Sequence, residues 1–312
     1  MSGAAAPLFE TPAAPIPAGG GAEWFIGAGG ARLRAALFRT GGEARGSVVL
    51  SPGRTEPIEK YFEVAARLTA RGFAVLIHDW RGQGLSARLA KDSRGHAHGW
   101  RDFVVDYGAL IAAFEARLPR PWIALGHSMG GCLTLLALAE GETRFSAALL
   151  SAPMLGLHTG KVPPAMARTL AATLTAVRLG AGLASREDAV APFADNILTH
   201  DPDRYRRNVE QVAAWPQLMV GPPTWGWIDF AFRATDELAR GAGAPAIRIP
   251  LVVAAAGDER LVDNAASQSV TARVPGSRYL VVPGAFHELM QESDAVQAVF
   301  WREFDDLAER VA

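Results

Sequence analysis

Short apolar runs alternate with helical stretches along this chain, and the alternation limits the possible folds more than any other feature. After two early runs at 24–26 and 33–38, which predict an antiparallel pair, further runs occur at 47–50, 73–77, 122–125, 147–150, 251–254 and 279–282. Runs that are apolar on both faces are typical of a mostly parallel sheet covered by helices on both sides. In such a sheet, ligands bind beyond the carboxyl ends of the strands.

The alternation is interrupted between residues 153 and 246. Helical patterns cover 164–179, 203–215 and 228–241, and bulky apolar residues, including Trp225 and Trp227, stand in loop-like contexts. We expect a helical cap over 153–246, inserted into an α/β core formed by residues 23–152 and 247–312. Residues 1–22, rich in Ala, Pro and Gly, are expected to form a flexible lead.

The amino-acid composition restricts the cellular compartment and the binding partners that we expect for this protein. Hydrophobic residues make up 49% of the 312 residues, and the formal net charge of −1 gives no electrostatic attraction to nucleic acid. We find neither a signal peptide nor an apolar stretch of roughly 20 residues, and the single cysteine, Cys132, forms no intrachain disulfide. We therefore expect a cytoplasmic protein without a transmembrane segment or nucleic-acid partner. Transient contact with a membrane surface is compatible with this, and the oligomeric state stays open.

The strongest chemical signal is Gly126-His127-Ser128-Met129-Gly130, a G-x-S-x-G pattern directly after a predicted strand and directly before a predicted helix. This context is that of a nucleophile elbow, in which a tight turn holds the serine hydroxyl clear of the sheet. The helix amino terminus offers amide N–H groups to developing negative charge. Cys132 is a competing nucleophile, but its place in the first turn of the helix predicts a core residue.

A serine nucleophile needs a base and an acid. His287 follows the last predicted strand, and the order serine, acid, histidine matches this kind of hydrolase. Three acids, Asp258, Glu259 and Asp263, follow the strand at 251–254, and chemistry alone does not choose among them.

The tetrahedral oxyanion needs two N–H donors. The amide of Met129 is one, and the loop after the strand at 47–50 is expected to supply the other. His96 and His98 form an H-x-H pair without an obvious third ligand, so we predict no metal site and no cofactor.

The chain resembles the monoglyceride lipase and lysophospholipase group of α/β-hydrolases, in particular the bacterial lysophospholipase L2-like branch, with a serine aminopeptidase S33-type domain. The resemblance is carried by the segments 52–56, 79–86, 126–131, 196–201, 221–227 and 284–288. It implies an α/β-hydrolase fold and hydrolysis of acylated lipids.

Two departures from that group matter. Pro52-Gly53 replaces its usual His-Gly, and lining up the loops makes the amide of Arg54 the second oxyanion donor. When the sequence is lined up with that group, the position of the catalytic acid falls on Glu259. Asp258 is the alternative, and Asp263 is interpreted as a structural cap.

The leading hypothesis is a carboxylic ester hydrolase that cleaves lysophospholipids or monoacylglycerols through an acyl-enzyme. Trp225 and Trp227 are candidate substrate-binding residues. One alternative is an acyltransferase, a thioesterase or a proline-iminopeptidase-like aminopeptidase, which would need a cap carboxylate for the substrate amine. The cap carboxylates available for that role are Glu210, Asp229, Asp236 and Glu237. A remote alternative is a non-catalytic hydrolase-fold binding protein.

Overall fold

The computed structural model describes residues 3–160, 162–185, 191–241 and 243–311. Within these ranges the strands are β1 (Ala5–Ala6), β2 (Gly20–Ile26), β3 (Arg32–Phe38), β4 (Gly46–Ser51), β5 (Phe73–His78), β6 (Trp122–His127), β7 (Ala147–Ser151), β8 (Leu251–Ala256) and β9 (Arg278–Val282). The α-helices are α1 (Phe62–Ala70), α2 (Arg101–Phe114), α3 (Met129–Ala139), α4 (Pro164–Ala176), α5 (Pro202–Ala214), α6 (Trp225–Arg240), α7 (Asn264–Thr271) and α8 (Asp294–Glu309). Short 3₁₀ segments are Ala28–Gly30, Ile58–Tyr61, Glu115–Arg117, Phe193–Asp195, Pro216–Leu218, Ala244–Ala246 and Leu289–Gln291.

The strands of the described residues form one nine-stranded sheet in the order β1-β2-β3-β5-β4-β6-β7-β8-β9. β1, β2 and β3 pair antiparallel, and β3 is antiparallel to β5. All pairs from β5 to β9 are parallel. The prediction of a mostly parallel sheet opened by an antiparallel pair is therefore confirmed. Because parallel strands end at the same edge, the loops after β4, β6, β8 and β9 meet there.

Successive residues of the central strands enter two hydrophobic cores, one on each face of the sheet. On β5, Leu76 joins one core, while its neighbours Val75 and Ile77 join the other. The first core packs against α2, α3 and α7, and the second packs against α1 and α8. With both faces covered, β4 to β8 are buried along their whole length, which explains their continuous apolar sequences.

The segment between β7 and β8 is mostly helical in its described part. α4 and α6 pack against each other, and α6 also contacts α3 and α7. The side-chain oxygen of Thr224 accepts the Trp227 N–H at the start of α6, and Gly241, with φ 76°, ends the helix. Phe230 of α6 lies 4.9 Å from Phe103 between ring centroids, so this segment shares the core of the sheet. In the described chain, no helix is long and apolar enough to cross a membrane.

The described part of the amino-terminal lead, residues 3–22, is packed against the rest of the chain, whereas its composition had predicted a flexible segment. In the described residues 3–22, β1 pairs with β2. The Phe9 ring lies 4.6 Å from that of Trp215, and the Phe9 N–H donates to Glu59. The expectation rested on Ala, Pro and Gly content, which carries no information on contacts with distant residues.

A buried ionic cluster fixes the antiparallel side of the sheet to its parallel side. Arg34 of β3 donates two hydrogen bonds to Glu59 and one to Asp79, each of 2.7 Å. Asp79, directly after β5, also accepts the backbone N–H groups of Ile58 and Leu85. The three charged side chains are completely shielded from solvent or nearly so. One arginine therefore joins β3, the loop after β5 and the segment before α1.

We expect Arg34→Met to lower the free energy of unfolding by about 3–5 kcal/mol, because it leaves two buried carboxylates without their cation. Urea unfolding at neutral pH measures the change. The matched control is Arg39→Met, at an exposed arginine just after β3, for which a change within about 0.5 kcal/mol is expected. Equal losses in the two variants would contradict a special role for the cluster.

Candidate active site

The turn from β6 into α3 places Ser128 in a strained position. Its backbone lies at φ 51° and ψ −118°, in a region that non-glycine residues rarely adopt. The surrounding glycines leave no room for side chains. A Cβ on Gly130 would lie 2.1 Å from the Ser51 carbonyl oxygen, and one on Gly126 would lie 2.7 Å from Gly131 Cα. The predicted elbow thus has a steric basis on both sides of the serine.

Ser128, His287 and Glu259 lie in one hydrogen-bonded chain. The distance from Ser128 Oγ to His287 Nε2 is 2.9 Å, and that from His287 Nδ1 to Glu259 Oε2 is 2.8 Å. The side chains of His287 and Glu259 are only 5% and 2% exposed, whereas Ser128 is partly exposed. The serine hydroxyl is therefore accessible while its partners are shielded from water.

Glu259 is held by the backbone that follows it. Its Oε1 accepts the N–H groups of Arg260, Leu261 and Val262 at 2.9, 2.7 and 3.2 Å. Burial favours a raised pKa for Glu259, but the hydrogen bond and charge of His287, together with the amides, outweigh burial and lower the pKa. The carboxylate is therefore ionised at neutral pH.

The two competing acids have other surroundings. Asp258 is exposed. Asp263 caps α7, because its side chain accepts the N–H groups of Ala265 and Ala266 at 2.8 and 3.2 Å. In the structure, Glu259 is the acid hydrogen-bonded to His287.

The two candidate oxyanion donors border one small cavity, which is lined by both Arg54 and Met129. Met129 begins α3, where the first N–H groups have no helical acceptor. The loop that carries Arg54 is held by Gln83, which accepts the Thr55 N–H at 2.7 Å and donates to the Gly53 carbonyl at 3.0 Å. Thr55 itself lies at φ 68°, so this loop is as constrained as the elbow.

A buried network beneath this loop has no counterpart in the sequence analysis. Glu56 accepts the Gly53 N–H at 2.5 Å, the Tyr61 hydroxyl at 2.6 Å and the Lys60 ammonium at 2.8 Å. Lys60 also donates to Glu288, beside His287, at 2.5 Å. Burial opposes ionisation of Glu56, but Lys60 outweighs it and lowers the Glu56 pKa to about 2. The spacing of Glu56 and Lys60, four residues apart, is the signal that could have revealed this pair.

The other polar candidates near the elbow are buried groups. Burial lowers the pKa of His127 to about 4 and that of His78 to about 3, so both imidazoles are neutral near pH 7. Burial raises the pKa of the Cys132 thiol, which is therefore a poor nucleophile. His96 Nδ1 lies 2.8 Å from the Thr224 hydroxyl. Across the described ranges, no group of three or more His, Cys, Asp or Glu side chains is arranged to hold a metal.

Trp225 and Trp227 belong to the first turn of α6 and not to a loop, because Thr224 caps the helix ahead of both residues. Trp227 lines the cavity beside Met129. Trp225 is placed differently, since its N–H donates to the Gly182 carbonyl at 2.9 Å and its side chain does not line that cavity.

A second, larger cleft lies between α5 and the loop that carries Arg54. Apolar side chains from both parts of the chain line it, namely Pro57, Leu198, Val209, Val212, Met219 and Val220. Thr55 and Glu288, the sequence neighbours of Arg54 and His287, also border the cleft, and Val220 lines both cavities. The cleft therefore lies beside the loops that carry Arg54 and His287.

Comparison with known proteins identifies the family. The family model described as "Serine aminopeptidase, S33" matches residues 42–294. Lysophospholipase L2 of Escherichia coli is 38% identical over 268 residues, which cover 81% of this chain and 77% of that protein. Monoacylglycerol lipase of Mycolicibacterium smegmatis is 30% identical over 278 residues, covering 86% of this chain and 91% of the relative.

The solved structure of Paleococcus ferrophilus monoacylglycerol lipase has the same fold, with a TM-score of 0.72 at 21% identity over 89% of this chain and 98% of that one. Together with the sequence matches, this confirms the resemblance inferred from the motifs. The chain therefore belongs to the serine aminopeptidase S33 family of α/β-hydrolases, in the group that includes lysophospholipase L2.

Proposed function

We propose that this protein hydrolyses the carboxylic ester of a single-chain acylated lipid, of lysophospholipid or monoacylglycerol type, by a Ser-His-Glu triad. The observation that carries the proposal is the pair of hydrogen bonds, 2.9 and 2.8 Å long, that joins Ser128, His287 and Glu259. A strained, partly exposed serine with a shielded histidine behind it is the arrangement that nucleophilic acyl transfer requires.

The reaction proceeds through an acyl-enzyme. His287 Nε2 takes the hydroxyl proton as Ser128 Oγ attacks the ester carbonyl, and Glu259 stabilises the imidazolium that forms. The amides of Met129 and Arg54 donate to the oxyanion of the tetrahedral intermediate. The imidazolium then protonates the leaving alcohol, and water activated by His287 releases the fatty acid and regenerates Ser128.

Two observations support a lipid substrate. The larger cleft has an apolar portion in its lining, contributed partly by Val209 and Val212 of α5, which suits an acyl chain. The relatives named lysophospholipase L2 and monoacylglycerol lipase act on single-chain lipid esters according to their names. Trp227 is the better placed of the two candidate tryptophans, because it borders the cavity beside Met129.

The family description raises the alternative of an aminopeptidase, which needs a carboxylate to bind the substrate amine. The four candidate cap carboxylates already pair with arginines, at 3.6 Å for Glu210, 2.9 Å for Asp229 and Asp236, and 3.1 Å for Glu237. The described lining of the cavity beside Met129 contains arginines and no acid. These contacts favour an ester hydrolase over an aminopeptidase.

We also propose a cytoplasmic location. The thiol of Cys132, the only cysteine, is completely buried and unpaired, which is compatible with a reducing compartment. The net charge of −1 provides no strong attraction to anionic membranes, so lipid would be engaged through the apolar cleft.

A substrate panel tests the reaction class. We expect kcat/KM for 1-palmitoylglycerol or a palmitoyl lysophospholipid to exceed that for proline p-nitroanilide by at least about 100-fold, because the site offers the amine no free carboxylate. Faster cleavage of the anilide would overturn the esterase assignment. Assays with glycerol as an added acceptor separate hydrolysis, which releases free acid, from acyl transfer.

We expect Ser128→Ala to lower turnover by at least about 10⁴-fold and to abolish labelling by a fluorophosphonate, because among the described residues no other hydroxyl is held against His287. Labelling is measured by intact-mass spectrometry at one equivalent per chain. Cys132→Ala serves as the control, and it should keep full labelling. A wild-type protein that resists the probe would instead support a non-catalytic binding protein.

We expect Glu259→Gln to lower kcat by roughly 10²–10⁴-fold, since the amide cannot stabilise the imidazolium. Asp258→Asn is the matched control at an exposed acid one position away, and Asp263→Asn is the control for the α7 cap, where asparagine also caps helices well. Both controls should stay within a few-fold of wild type. Should Asp258→Asn be the crippling change, the acid would lie one position earlier than proposed.

A further inference from the structure

Arg54 has a positive charge that no acid neutralises within the described chain. Its Nη2 donates to the Gly221 carbonyl at 2.6 Å, and its guanidinium lies 5.1 Å from the centre of the Trp227 ring. Its Nε is buried and has no acceptor among the described residues. Burial alone lowers the pKa of Arg54, to about 10, with no carboxylate to offset it. The guanidinium still carries its charge at neutral pH.

Two nearby arginines differ from Arg54 because their guanidinium groups have more bonding partners. Arg81, which lines the same cavity, forms ion pairs with Asp106 at 2.6 Å and Asp102 at 3.2 Å. Arg88 also lacks an ion pair among the described residues, but its guanidinium donates four hydrogen bonds to backbone carbonyls, at 2.9–3.2 Å. Arg54 is thus the cavity arginine whose hydrogen-bonding capacity and charge are left largely unused.

A charge withdrawn from water without an opposite charge destabilises the folded protein. Such a group is explained when the ligand supplies the missing anion. The planar guanidinium donates parallel hydrogen bonds to two oxygens of a phosphate, which makes arginine well suited to that anion.

The position of Arg54 matches the dimensions of a lysophospholipid. In the proposed mechanism its amide contacts the oxyanion, and an arginine side chain reaches at most roughly 6 Å from its Cα at ordinary bond lengths. In a lysophospholipid, six bonds separate the ester carbonyl carbon from the phosphorus, roughly 7 Å in an extended chain. One residue can therefore contact both the reacting carbonyl and the phosphate.

We propose that the Arg54 side chain binds the phosphate of the substrate and makes the enzyme prefer lysophospholipids to uncharged monoacylglycerols. This rests on the proposed function, because it assumes that the ester carbonyl is held at Ser128. It assigns the aromatic and cationic lining of the smaller cavity to the headgroup, and it leaves the larger apolar cleft for the acyl chain.

The test compares two substrates with one acyl chain, 1-palmitoyl lysophosphatidylglycerol and 1-palmitoylglycerol, in the same detergent micelles. Arg54→Met should lower kcat/KM for the lysophospholipid roughly 10- to 100-fold more than for the monoacylglycerol, the range of a charge-assisted contact. Arg54→Lys keeps the charge and should retain more of the preference. The matched control is Arg88→Met, which should leave the ratio of the two kcat/KM values at its wild-type level.

Equal losses on both substrates in Arg54→Met would overturn the proposal, because the side chain would then serve only the loop. Inhibition by the product palmitate is measured in the same variant. If Arg54→Met weakened this inhibition but left the ratio of the two kcat/KM values unchanged, the proposal would also be overturned, because Arg54 would then bind the product carboxylate. If wild type hydrolysed neither ester, the proposed function would fail separately. Calorimetry with sn-glycerol 3-phosphate would still test the anion site. Saturable binding to wild type that is lost in Arg54→Met would support the proposal. Absence of binding to wild type would refute it.

Discussion

The close approach of α3 to the end of β4 is the constraint on which the site depends. Gly130 packs so tightly on the Ser51 carbonyl that any side chain would overlap it. This contact brings the amino terminus of α3 against the loop that carries Arg54, and both Arg54 and Met129 consequently line one cavity. The same turn forces Ser128 into its strained conformation, with its hydroxyl toward His287. Nucleophile and candidate oxyanion donors are thus positioned by one steric contact, before any polar interaction is considered.

Buried charges then connect this arrangement to the histidine loop, which lies more than 200 residues away in sequence. Lys60 lies between Glu56, which holds the Gly53 N–H, and Glu288, which follows His287. Because both carboxylates share one ammonium, removing Lys60 is expected to leave two buried carboxylates without their cation. The segment between β7 and β8 adds a second connection, because the Leu198 carbonyl accepts the Glu288 N–H at 2.8 Å. The two active-site loops are therefore braced against each other.

The features predicted correctly from the sequence are those that depend on residues close together in the chain. Runs of apolar residues gave the buried strands, and the glycines around Ser128 gave the elbow, because both patterns reflect contacts made within a few residues. The packing of residues 3–22 depends on contacts such as Phe9 with Trp215, which no local pattern reports. The helical start of α6 depends on Thr224, a single cap that the Trp-rich composition obscured. The Glu56–Lys60 pair is local, but its link to the histidine loop depends on Glu288, the second acceptor of Lys60, which is distant in sequence.

The choice of glutamate at position 259 has a structural explanation. Glutamate is one methylene longer than aspartate and has one more torsion to immobilise, which would make it a less rigid partner for histidine. Three successive backbone amides bind Oε1 and leave Oε2 to His287, so the extra freedom is removed by the turn itself. The same amides help to keep the carboxylate ionised. The anion at position 259 is thus satisfied internally, whereas no carboxylate pairs with the cation of Arg54 in the described chain.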